Sequence, residues 1–130
     1  MSKVETIGPE RAAELVKQGA VLIDIRESIE YTRENIPGAR HHALSQIDAR
    51  HPARAGDTVL IYHCKSGART RMSAGKLAGA SGDCEVFLLG GGIEAWKRAG
   101  LPTSASAGRP AAAGAEPQSG VIGRLSALFR

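Results

Sequence analysis

Three short apolar runs constrain this 130-residue chain more than any other feature: Val21 to Ile25 in AVLIDI, Thr58 to Tyr62 in DTVLIYH, and Val86 to Leu89 in CEVFLL. Each run is continuous rather than alternating. A strand with one wet face alternates apolar and polar residues, whereas a parallel strand covered on both faces does not. The runs therefore predict a buried, mainly parallel sheet. Helical patterns fall between and around them. GPERAAELVKQG places Pro9 and Glu10 in a first turn, an apolar stripe at Ala12, Leu15 and Val16, and Gly19 at the stop. ESIEYTREN, about residues 27 to 35, reads as a shorter helix, the stretch from Arg69 to Ala80 as another, and GGIEAWKRAG as a last one. Alternation of this kind defines an α/β fold.

The length suits one compact domain and a tail. A composition of 42% hydrophobic and 23% charged residues excludes a chain disordered throughout. Residues 1–102 are expected to form the domain. Residues 103–120, TSASAGRPAAAGAEPQSG, have little to bury and read as a flexible linker. Residues 121–130, VIGRLSALFR, set Val121, Ile122, Leu125, Leu128 and Phe129 at helical spacing, too short a piece to hold a helix alone. Docking on its own domain or fraying is the first expectation for it, and binding to a partner or weak association with a membrane surface the alternative. No apolar stretch reaches the ~18 residues of a membrane span, and MSKVETIGPE lacks a signal-peptide run, so the cytoplasm is the expected compartment. The net charge of +4 comes from scattered basic residues with only 4% aromatics, which argues against a nucleic-acid surface.

The chemistry concentrates in IYHCKSGART, where a buried strand ends at His63 and Cys64 opens a short polar loop. Ligands of open α/β sheets bind at the carboxyl ends of strands. Successive amides in such a loop form an anion nest, the following helix adds its positive end, and Gly67 permits the backbone angles required. With Lys65 and Arg69 nearby, a thiolate at Cys64 is favoured over the thiol. A purely structural cysteine has no reason to be followed by Lys, Ser, Gly and Arg. Cys84, the other of the two cysteines, precedes EVFLL with no basic loop after it and reads as a core or surface thiol.

Four pieces in order resemble the single-domain rhodaneses across about residues 4 to 102: VLIDIRESIEY with Asp24 and Arg26 in a D-x-R step, NIPGA, CKSGAR, and GGIEAWKRAGLP. The resemblance implies the three-layer rhodanese-like fold and sulfur transfer through a persulfide on Cys64. It implies Lys65, Ser66, Gly67, Ala68 and Arg69 as the substrate-binding loop, with Lys65 and Arg69 orienting an anionic donor such as thiosulfate. The acceptor would be cyanide or a thiol, on a small molecule or on a protein, and neither metal nor organic cofactor is required. A phosphatase or arsenate reductase on the same scaffold is the rival enzyme. It is disfavoured by the four residues between Cys64 and Arg69, since the related phosphatases resemble Cys-x5-Arg. A non-catalytic rhodanese-like module is the rival of another class, and the intact cysteine loop argues against it.

Asp24 and Arg26, ending the first buried strand, are expected on the Cys64 side of the sheet, first as an ion pair supporting the loop and, as the alternative, with Arg26 facing the substrate. Strand alternation points His63 to the face opposite Cys64, so it is not assigned as a base. His41, His42 and His51 lack metal-ligand spacing. Trp96 reads as core packing.

Overall fold

The computed structural model describes residues 4–47 and 59–105. Five strands, β1 (Val4–Ile7), β2 (Val21–Asp24), β3 (Arg40–His41), β4 (Leu60–His63) and β5 (Val86–Leu89), form one sheet in the order β1-β5-β4-β2-β3. Every pair is parallel, with Asp24 opposite His63 where β2 and β4 end. The helices are α1 (Pro9–Lys17), α2 (Ser28–Arg33), α3 (Ala68–Met72), α4 (Ala74–Ala80) and α5 (Gly92–Arg98). This is the expected α/β fold of three layers. The three central strands coincide with the apolar runs, and β4 and β5 are buried at every position.

Two apolar cores lie on the two faces of the sheet, and strand alternation assigns residues to them. On β4, Ile61 joins Ala12 and Leu15 of α1 and Ile93 and Trp96 of α5. Leu60 and Tyr62 join Leu77 and Ala80 of α4, and Cys64 continues that face one step beyond the strand. Cys84 packs in the same core, 4% exposed. Trp96 is buried as expected and donates its indole N–H to the Pro102 carbonyl at 2.8 Å.

The edge strands were not legible as apolar runs. Val4–Ile7 carries Glu5 and Thr6 exposed at the edge, and β3 is two residues long. The single helix expected from Arg69 to Ala80 is two helices, broken at Ser73 (φ −110°, ψ 19°). Ser73, Gly75 and Gly79 give the stretch low helix propensity, so little is lost where the chain turns from the Cys64 loop to lie along the sheet. Just past residue 102, Asn35 and Ser104 exchange two backbone hydrogen bonds of 2.9 and 2.7 Å in an antiparallel bridge. The remainder of the expected linker, from residue 106, and the 121–130 segment lie outside the described residues. Among the described residues no helix is long and apolar enough to cross a membrane.

The layer assignment predicts a contrast between two neighbouring substitutions. Leu77 is fully buried between α4 and the sheet, and Met72 is 87% exposed. Leu77→Ala should lower the unfolding free energy by about 2–5 kcal/mol. Met72→Ala should stay within about 0.5 kcal/mol of the parent. Urea titrations of both variants measure this, and equal losses would contradict the packing of α4.

Candidate active site

Cys64 is the first residue past β4, and its loop is set by hydrogen bonds from two directions. On one side, the backbone N–H groups of Ile93 and Glu94, in the first turn of α5, donate to the carbonyls of Cys64 (2.9 Å) and Lys65 (3.1 Å). Because trans peptides are planar, the N–H groups of Lys65 and Ser66 then point away from α5. The close approach explains the glycines that open α5. Gly92 has φ +58°, and a Cβ there would overlap the Cys64 and Lys65 carbonyl oxygens. Gly67 has φ +97°, and a Cβ there would lie 3.0 Å from the Gly91 nitrogen.

On the other side, the Gly67 N–H donates to Cys64 Sγ at 3.1 Å. The Thr70 hydroxyl donates to the Gly67 carbonyl at 3.1 Å and lies 4.0 Å from Sγ. Thr70 is itself buried, so the loop closes on a fixed hydroxyl. Cys64 is buried, Gly67 is buried, Ala68 is half-buried, and Lys65 and Ser66 are exposed. The sulfur thus sits at the base of a loop whose rim carries a lysine. The Gly67 amide aimed at the sulfur makes the loop interior a hydrogen-bond donor surface.

Asp24 and Arg26 form the expected ion pair, and its geometry shows what it holds together. Arg26 donates from Nε to Asp24 Oδ1 at 3.0 Å and from Nη2 to Oδ2 at 2.8 Å, with its own backbone N–H on Oδ1 at 2.9 Å. The same Nη2 reaches the Glu34 carbonyl at 2.5 Å, tying the end of α2 to the end of β2. Ile25 N–H bonds the His63 carbonyl at 2.9 Å, so that tie is carried to β4 one residue before Cys64. His63 does face away from the sulfur: Nδ1 is 3.2 Å from the Cys64 carbonyl oxygen and Nε2 is 3.6 Å from Asp24 Oδ2, without a hydrogen-bond partner. Burial holds the His63 pKa below the usual histidine value, with Asp24 opposing, which makes it a neutral filler.

Arg69 points to a different partner than expected. It forms a bidentate pair with Glu30 of α2, Nη1 to Oε1 at 2.8 Å and Nη2 to Oε2 at 2.9 Å. Glu30 also accepts the Glu27 backbone N–H at 3.1 Å, closing a capping box at the start of α2. The hydrogen bonds from Arg69 are the main reason the Glu30 carboxyl is pulled down to about 2. Arg69 therefore joins α3 to α2, with its fork of donors facing a carboxylate of the protein.

A cleft of about 280 Å³ opens beside the loop, lined by Arg26, Glu30, Arg33, Glu34, Lys65 and Ala105. Glu30, Arg33, Glu34, Thr70 and Gly92 were not singled out from sequence. Their positions depend on contacts between segments far apart in the chain. Among the described residues the histidines make no cluster: His41 Nε2 lies 2.7 Å from the Arg26 carbonyl oxygen and its ring stacks on Tyr31 at 4.5 Å. Among the described residues no three His, Cys, Asp or Glu side chains are grouped to hold a metal, and His51 lies outside those residues.

A sequence model described as a rhodanese-like domain matches residues 8–99. The chain belongs to the rhodanese-like family. It is an enzyme of the rhodanese type. A curated relative named thiosulfate sulfurtransferase GlpE, from Ectopseudomonas mendocina, is 36% identical over 111 residues, covering 83% of this chain and 97% of the relative. A solved rhodanese-like domain of the Anabaena protein Alr3790 superposes with a TM-score of 0.68 at 22% identity, covering 92% of each chain. A thiosulfate sulfurtransferase of Pseudomonas aeruginosa superposes with a TM-score of 0.64 at 31% identity, over 82% of this chain and 20% of that one.

Two outcomes test this rhodanese-like site. The Glu30–Arg69 pair has a depressed carboxyl, so its stabilisation is present above the ordinary carboxylate value of 4.5 and is lost as pH falls from there towards 2. The stability difference between the parent and Glu30→Gln should be constant near neutrality and shrink across that window in urea titrations. A difference that does not change with pH would remove the pair. Gly92→Ala should destabilise by more than about 1 kcal/mol, since it adds left-handed strain to an overlap with the loop. It should also slow alkylation of Cys64 by a thiol reagent; a stable, fully reactive variant would contradict the close approach.

Proposed function

We propose that the protein is a sulfurtransferase that carries sulfane sulfur as a persulfide on Cys64, taking it from thiosulfate or a related donor. The observation that carries this reading is the Cys64 sulfur at the carboxyl end of the central strand, receiving the Gly67 amide at 3.1 Å inside a loop held by α5. The names of the curated relatives support the same donor class.

In the first half-reaction the Cys64 thiolate attacks the outer sulfur of thiosulfate. A new S–S bond forms to Cys64, the S–S bond of the donor breaks, and its electron pair leaves with sulfite. In the second, a thiophilic acceptor, cyanide or a thiol on a small molecule or protein, attacks the outer sulfur of the persulfide. The Cys64–sulfur bond breaks and the thiolate is regenerated. Covalent catalysis thus divides one transfer into two displacements. The Gly67 amide, with the Lys65 and Ser66 amides turned from α5, would hold the persulfide charge as an oxyanion hole holds developing charge. Burial of Cys64 suits a cargo that must be shielded from water and stray thiols. Ser66 and Ala68 would shape the approach to the sulfur. Arg69, engaged by Glu30, would brace the loop more than it binds donor, and that engagement also speaks against an oxyanion-cradling phosphatase loop.

Incubation with thiosulfate should add one sulfur atom to Cys64, read by intact mass and peptide mapping, and cyanide should remove it with formation of thiocyanate. Cys64→Ser should lose all transfer and Cys84→Ser should keep it. Transfer that survives in Cys64→Ser, or labelling that follows Cys84, would overturn the assignment.

A further inference from the structure

The apolar stripe of α1 leaves one of its members uncovered. Ala12 and Leu15 are buried, but Val16 is 37% exposed. It lines a cavity of about 430 Å³ whose other walls include Val21, Ile36, Trp96, Leu101 and Pro102. Trp96 offers this space only its ring, because its indole N–H is held by the Pro102 carbonyl at 2.8 Å. The volume falls within the range of small-molecule sites, about 300–1,000 Å³. The cavity is also separate from the sulfur site. Val21 opens β2 opposite Leu60 at the start of β4, whereas Cys64 follows the other end of β4. Ile36 and Trp96 belong to the core on one face of the sheet, and Cys64 to the core on the other.

Two charged residues stand in the lining, Lys17 in the last turn of α1 and Arg40 at the start of β3, and no carboxylate does. Both are exposed, which puts them at the mouth. Neither side chain has a hydrogen bond or an ion pair among the described residues. An apolar space with cations at its mouth suits a ligand that is apolar along its body and anionic at one end. An amine would meet like charge there, and an inorganic anion would leave the apolar walls unused. Residues 121–130 of the chain, VIGRLSALFR, are apolar enough to compete, but they carry Arg124 and Arg130 and no acidic side chain.

We infer that this cavity is a binding site for an aliphatic carboxylate of medium chain length, with the chain against Val16, Ile36, Trp96 and Leu101 and the carboxylate between Lys17 and Arg40. The site is independent of the sulfurtransferase reading of Cys64. Exposed charge contacts are weak in water, so burial of the chain supplies the affinity and the two cations select the sign of the head group.

Trp96 is the one tryptophan of the chain, so its emission reads occupancy of the cavity directly. The 130-residue chain would be titrated with octanoate, decanoate, decanol and decyltrimethylammonium below their aggregation limits. Decanoate should change the emission saturably and raise the urea midpoint. Octanoate, two methylenes shorter, should bind roughly tenfold more weakly. Lys17→Gln and Arg40→Gln should each weaken decanoate about twofold to fivefold and leave decanol unchanged. Lys17→Glu combined with Arg40→Glu should bind decyltrimethylammonium in preference to decanoate, and its urea midpoint without ligand should stay near that of the parent because both positions are exposed. Unchanged emission with decanoate would overturn the site. Equal affinity of the parent for decanoate and decyltrimethylammonium, or decanoate binding that ignores all three charge variants, would overturn it as well. Decanoate binding that is seen only after Leu125→Asp with Phe129→Asp would assign the cavity to the chain's own residues 121–130, and that too overturns the proposal.

Discussion

The hydrogen bonds from the first turn of α5 to the carbonyls of Cys64 and Lys65 are the contact on which the site depends. A loop at the end of a strand has no ladder to fix its peptide planes. Engaging two consecutive carbonyls from one side orients the following amides to the other, and the loop acquires a polar interior without a charged side chain. The helix can approach that closely only because Gly92 lacks a Cβ. The GG step of the closing helix and the cysteine loop are therefore one structural unit, although Cys64 and Gly92 stand 28 positions apart in the chain.

Around that unit the fold places charge in matched sets. Asp24 and Arg26 are both buried, and an unpaired charge there would be costly. Paired, and with the Arg26 fork extended to the Glu34 carbonyl, they fasten α2 against the sheet. Glu30 and Arg69 fasten α2 to α3 nearer the surface. His63, one residue before the nucleophile, stays neutral because burial outweighs the pull of Asp24. The environment beneath the sulfur is thus compensated.

What was legible in the sequence follows from how local each signal is. The central strands announce themselves because burial on both faces demands continuous apolar runs, and α1 because Pro9 and Gly19 mark its ends. Cys64 and Gly67 were legible because the loop is contiguous. The edge strands were not, since one face or one side of each needs no apolar residue. Arg69 illustrates the deeper limit. Its neighbours in sequence suggested an anion-binding arginine, but its partner, Glu30, stands 39 residues away. Spacing within a loop reports which groups can meet, whereas compensation of charge is settled by the tertiary fold.

This difference separates two kinds of arginine around one cysteine. A guanidinium whose two arms hold one carboxylate at 2.8 and 2.9 Å has spent its directional capacity, and releasing it for a ligand would strand the carboxylate. An exposed cation with no partner loses only hydration when an anion arrives. Arg26 and Arg69, each held by a carboxylate of the protein, therefore brace the elements around the Cys64 loop.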